Sequence, residues 1–137
     1  MNRERYLLDT SALLTLIEGE AGADRVREAL GDESTIIPWV ALLEVLYISE
    51  KERDATEAEN RYAMLKQLPV TFLWQIDEPA LLTAARLKAR NRISFADALI
   101  AAFAIRSGAT LMHKDPEYEA LKGQVKLSPL PYKGGGD

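Results

Sequence analysis

The chain has no cysteine and only one histidine, His113. The first absence rules out a disulfide framework, a thiol nucleophile and a cysteine-based zinc site. It also fits a reducing compartment. One histidine cannot by itself build a two-histidine metal centre. No GxGxxG, Walker A or GxSxG pattern occurs, so the common phosphate-cradling loops and the nucleophile elbow are missing too. Apolar runs fall well short of the ~20 residues a bilayer span requires. The opening stretch MNRERYLLDTSALL has no signal-type apolar region ahead of its first acid, and a cytoplasmic protein with no membrane partner is expected. Positive charge is not in excess either. The formal net charge is -4 and the pI about 5.1, which argues mildly against a general nucleic-acid coat, since phosphate contacts supply most of such affinity. The positions of the charges therefore matter more than their sum.

What is present is an ordinary globular composition. Across 137 residues, 47% are hydrophobic and 28% charged, enough for one core-bearing domain. A single domain over residues 1–130 is expected, with residues 131–137 as a flexible tail ending in KGGGD. The pattern reads as short apolar strands alternating with helices. RYLL (5–8) is a strand ending at Asp9, and SALLTLIEG is a short helix closed by Gly19. ADRVREAL is a second helix, and STIIP a second strand. Pro38 then opens a helix that runs past Ile48. Residues 50–68 carry five acids and three bases in their first twelve positions, followed by Tyr62, Leu65 and Leu68. They are expected to form one solvated helix with an apolar stripe. VTFLWQI is a third strand, ALLTAARLKARN a helix, SFADALIAAFAIRSG a more buried helix, ATLMH a fourth strand and QVKLS a fifth. Strands alternating with helices imply a parallel sheet of four to five strands, covered on both faces. Ligands of such sheets gather beyond the carboxyl ends of the strands.

Four acids fall at positions that this rule singles out. Asp9 ends the first strand, and Glu44 interrupts PWVALLEVLYI, where its ten companions are uncharged and mostly apolar. Asp97 starts the buried helix and Asp115 follows the fourth strand. Each has a local explanation except Glu44. Asp9 can cap a helix, Asp97 stands three residues after Ser94 as in a capping box, and Asp115-Pro116 is a good helix start. A buried Glu44 instead needs a cation, either a basic side chain or a metal ion. Gathered at one sheet edge, two carboxylates about 4 Å apart repel by roughly 4 kcal/mol at an effective dielectric near 20. Such a group must take up protons, pair with cations or hold a hard ion such as Mg2+ or Mn2+.

Together YLLDTSALL, the internal Glu44, SFADALIAAFA and ATLMHKDPEYEAL resemble the PIN domain, and within it the small VapC-type toxin ribonucleases. The resemblance spans residues 5–128. It implies a three-layer α/β/α sandwich and divalent-metal-dependent hydrolysis of RNA, leaving a 5′-phosphate and a 3′-hydroxyl. It makes Asp9, Glu44, Asp97 and Asp115 the catalytic and metal-holding set, with Ser11 supporting Asp9. The chain departs from the family pattern at Lys114-Asp115-Pro116 and at Tyr118, where phenylalanine is usual. The same resemblance implies a cognate VapB-like antitoxin and a homodimer, for which the apolar helix from Trp39 to Ile48 offers surface. An RNA-processing PIN nuclease without a toxin role and an inactive PIN-like interaction module are the alternatives. A haloacid-type phosphatase would want an aspartate where Ser11 stands.

An RNA substrate needs cations. RLKARNR places Arg86, Lys88, Arg90 and Arg92 together without an acid, just before Ser94. The strip reads either as a backbone track flanking the acids or as a basic helix end complementing the helix dipole. His113 reads as a structural strand-end residue. Trp39 and Trp74 read as core or interface aromatics.

Overall fold

The computed structural model describes residues 4–134. Five short strands, β1 (Tyr6–Leu8), β2 (Ile36–Pro38), β3 (Thr71–Leu73), β4 (Thr110–His113) and β5 (Leu127–Pro129), form one parallel sheet in the order β3-β2-β1-β4-β5. Six α-helices connect them: α1 (Thr10–Ile17), α2 (Ala23–Ala29), α3 (Trp39–Glu52), α4 (Ala55–Lys66), α5 (Glu78–Arg90) and α6 (Phe95–Ser107). A 3-10 helix, Pro116–Leu121, follows β4.

Period-two alternation along the strands sorts the core into two layers. Leu7 lies level with both Ile36 and Leu111. These three turn to one face and pack with Ala84 and Leu87 of α5 and Ile100 and Phe103 of α6. Leu8, Ile37 and Met112 turn to the other face and pack with Leu13, Val26, Leu42, Val45 and Leu65 from the first four helices. The outcome is the expected three-layer α/β/α sandwich around a parallel sheet. Helix α6 is apolar nearly all round, with Ala98 and every residue from Ile100 to Ala104 buried, as a helix enclosed on most sides must be.

The expected single helix over residues 50–68 is two helices. Asp54 breaks the run because its carboxylate accepts from Glu57 N at 2.7 Å and so starts α4 afresh. The helix pair is held by Arg61, which is buried on α4. Its guanidinium donates to Glu57 Oε2 at 2.9 Å, to Ser49 Oγ at 3.0 Å and to Glu18 Oε2 at 3.0 Å. Helices α1, α3 and α4 thus meet at one cation. The third strand is also shorter than its apolar pattern, stopping at Leu73. Of the expected tail, Tyr132 donates to Glu119 Oε2 at 2.6 Å and Lys133 pairs with Glu20 at 2.7 Å, while residues 135–137 lie outside the described residues.

The order of the strands decides where the site falls. From β1 the chain steps outward through β2 to β3, then returns to β4 on the other side of β1. The crevice between the carboxyl ends of β1 and β4 is therefore a topological switch point, and Asp9 and Asp115 flank it.

Because Leu111 is fully buried in a central strand, Leu111→Ala should cost about 3 kcal/mol of unfolding free energy. Leu82→Ala, at a site 55% exposed, should cost less than about 0.5 kcal/mol. Urea denaturation of the two variants checks the contrast.

Candidate metal and nuclease site

Asp9 leaves β1 and becomes the N-cap of α1. Its Oδ1 accepts from Ala12 N at 2.9 Å, and Ser11 Oγ lies 2.8 Å from each carboxylate oxygen. The same Ser11 hydroxyl oxygen accepts from Lys114 N at 2.8 Å. One hydroxyl therefore ties the end of β1 to the end of β4. Thr10 Oγ1 donates to Glu44 Oε1 at 2.5 Å, which brings the α3 acid beside the residue that follows Asp9. Glu44 is half-buried, and no basic side chain pairs with it among the described residues.

Asp97 arrives from the other face. Ser94 caps α6, accepting from Asp97 N at 3.0 Å, and the Asp97 carboxylate accepts from Tyr118 Oη at 3.0 Å. Asp115 caps the 3-10 helix, taking a hydrogen bond from Glu117 N at 2.9 Å. The capping explanations for Asp9 and Asp115 are therefore real, and they do not compete with a site. Each cap leaves lone pairs of the same carboxylate free, since a carboxylate accepts at about four positions.

Carboxylate oxygens of Asp97, Asp115 and Glu117 lie within 4.8 Å of one another. Glu117 was not among the four acids that the sequence singled out. Only the fold brings it into the cluster. Its Oε1 accepts from Ser94 N at 3.0 Å, closing from a distance the capping box that Asp97 would close if it did not turn into the site. The signal for it in the sequence is the Asp-Pro-Glu run, where proline enforces a tight turn and sets two acids side by side.

Burial sets the protonation of this group. It lifts the Asp9 carboxyl to about 7, against hydrogen bonds from Ala12 and Ser11 that pull the other way, with the Asp115 charge adding to the lift. Burial lifts Asp97 further, to about 9, reinforced by its hydrogen bond with Glu117 and by the Asp115 charge. The Glu117 carboxyl is lowered, foremost by that same hydrogen bond with Asp97. At neutral pH these shifts favour a protonated Asp97 beside an ionised Glu117. An oxygen-only donor set that needs a positive charge fits Mg2+ or Mn2+.

His113 does not act as a base here. Its Nδ1 accepts from Asp115 N at 3.1 Å, and burial holds its pKa below the usual value. The basic strip divides. Lys88 Nζ donates to Ile93 O at 2.8 Å, and its charge helps to lower Glu117. Arg86, Arg90 and Arg92 are exposed and form no ion pair among the described residues. A cleft of about 630 Å³ reaches Ser11, Asp115 and Lys114.

A family model for the PIN domain matches residues 6–124. The chain belongs to the PIN-domain family. Among relatives of this PIN domain, Ribonuclease VapC2 of Mycobacterium tuberculosis is 33% identical over 128 residues, covering 88% of this chain and 87% of the relative. The fold agrees with VapBC2 from Rickettsia felis, solved bound to a DNA fragment from their promoter, at a TM-score of 0.75 and 15% identity. That match covers 93% of this chain and 99% of the other. VapC20 from Mycobacterium tuberculosis, a Sarcin-Ricin loop cleaving toxin, matches at a TM-score of 0.71 and 19% identity, with 90% and 99% covered. Among the described residues of this PIN domain, no helix is long and apolar enough to cross a membrane.

A carboxyl whose pKa is higher in the folded chain than in the unfolded one binds more protons when folded. Stability then falls as pH rises between the two values. For Asp9 that window runs from about 4 to about 7, and for Asp97 from about 4 to about 9. The metal-free protein should therefore show a higher urea midpoint at pH 5 than at pH 8.5, and Asp97→Asn should shrink the difference. Equal midpoints in the parent would contradict the assigned protonation.

Proposed function

We propose that the chain is a divalent-metal-dependent endoribonuclease, the toxin partner of a VapBC-type pair, acting in the cytoplasm. The observation that carries the reading is the set of close carboxylates of Asp97, Asp115 and Glu117, with Asp9 near enough to feel Asp115. Asp9, Glu44, Asp97 and Asp115 are the proposed ion-holding residues, with Glu117 added to them, and Glu44 is tied through Thr10 to the residue that follows Asp9. A Mg2+ or Mn2+ ion at this place supplies an activated water and offsets charge on the phosphate oxygens. The chain's own residues do the rest. Ser11 holds the Asp9 carboxylate and, through Lys114 N, the loop that carries Asp115. Thr10 orients Glu44.

Arg86, Arg90 and Arg92 form the proposed track for the RNA backbone, and Lys88 carries that positive potential up to Glu117. Such contacts position a strand without choosing its sequence. An antitoxin and a second copy of the chain are the proposed protein partners. Leu43 and Tyr47, half-exposed on α3, lie on the helix assigned to them. The domain itself is proposed to end near residue 130.

Manganese titration by calorimetry on the purified chain, freed of partners, tests the ligand set. Saturable binding is expected in the parent. In Asp9→Asn/Asp97→Asn it should weaken by more than the roughly 10–100-fold that loss of an outer partner costs. A folded double variant that binds like the parent refutes the assignment. Glu44→Gln should reduce cleavage. Serine at Arg86, Lys88, Arg90 and Arg92 should lower the salt slope of RNA affinity by up to about 3 if all four meet phosphates. An unchanged slope removes the strip from the substrate path.

A further inference from the structure

We propose that His113 and Tyr118 form one positioning unit that sets Asp97 and Asp115 at ion-binding separation before any ion arrives. The proposal rests on reading those two acids as ligands. The two acids reach the cluster from different elements, one on α6 and one on the loop after β4. Nothing in either element alone fixes the gap between their carboxylates.

The pair of rings supplies that constraint. Both side chains are fully buried, at 0% exposure, and their rings meet edge to face with centroids 4.9 Å apart and planes at 63°. His113 ends β4, the strand that pairs with β1, so the sheet fixes its backbone. From there Nδ1 accepts from Asp115 N at 3.1 Å and pins the loop at the residue that carries the acid. Asp115 in turn caps the 3-10 helix through Glu117 N, and that helix delivers Tyr118 to the core. Tyr118 Oη then donates to Asp97 Oδ1 at 3.0 Å. A buried phenol must find an acceptor, and this one takes one of the carboxylate's roughly four accepting positions, leaving the rest to the cluster with Asp115 and Glu117. The chain of contacts closes a loop: β4, His113, Asp115, the 3-10 helix, Tyr118 and Asp97.

Ring packing and hydrogen bonding can be separated. Tyr118→Phe keeps the ring and removes only the donor. His113→Leu removes the acceptor, while His113→Asn restores one near the place of Nδ1. The probe is manganese(II) alone, titrated by calorimetry into the full chain, with a thermal melt of each variant as a check on folding. Tyr118→Phe and His113→Leu should each weaken Mn2+ binding by about 10-fold or more, within the range for residues that orient metal ligands. His113→Asn should recover most of the loss. The double variant Tyr118→Phe/His113→Leu should lose less than the product of the two single losses, because the two residues act on one gap. If Tyr118→Phe lowers the melting temperature and binds Mn2+ as the parent does, the unit is structural and the proposal is wrong, while the ligand reading stands. If the parent shows no saturable binding, or if Asp97→Asn binds like the parent, the ligand reading fails and the proposal falls with it.

Discussion

The hydroxyl of Ser11 is the contact on which the candidate site depends. It lies between the Asp9 carboxylate and the Lys114 amide, 2.8 Å from each, and so couples the ends of two strands that the sequence separates by about a hundred residues. Parallel pairing of β1 with β4 brings those ends level, since Leu8 is in register with Met112. The backbone bond from Asp9 N to Met112 O at 3.2 Å continues the ladder to the acid itself. With the strands in that register, a side chain as short as serine spans the gap. Without it the two acidic motifs would have no reason to meet.

Gathering carboxylates in a dry place costs free energy, and hydrogen bonds and raised pKa values offset part of it. Asp9 spreads its charge over an amide and a hydroxyl donor. Asp97 keeps its proton and leans on Glu117 and Tyr118. Asp9 and Asp115 also cap helices, so the chain holds those two acids in place without extra elements. Sites whose side chains are locked by such outer contacts are ordered in advance, which lowers the cost of binding. The same double use explains why capping and ligation are not rival accounts of these residues.

Much of this was visible beforehand, for physical reasons that attach to particular residues. Helix α6 announced itself through Ser94, its apolar length and Gly108, which adopts a positive φ of 64° at the C-cap. Glu44 stood out because an acid amid an apolar helix has no cap to make. The break at Asp54 did not stand out, because a charged stretch supports one long helix or two equally well until a side chain captures the Glu57 amide. Glu117 stayed hidden for a related reason. Its importance comes from the approach of α6, more than twenty residues away, and no local pattern records that approach.

By itself, the sequence determined the strand and helix alternation, the absence of thiol chemistry and of any cysteine or two-histidine metal centre, and the oxygen-rich character of the candidate donor set. Those are properties of residue type and spacing, readable wherever the chain goes. Tertiary structure decided which acids share one space. It set Asp97, Asp115 and Glu117 together, assigned Glu44 its Thr10 partner and kept His113 as a hydrogen-bond acceptor for the Asp115 loop. Proximity among residues from four different elements depends on strand order and register, and protonation depends on burial. Both come into being only when the layers pack.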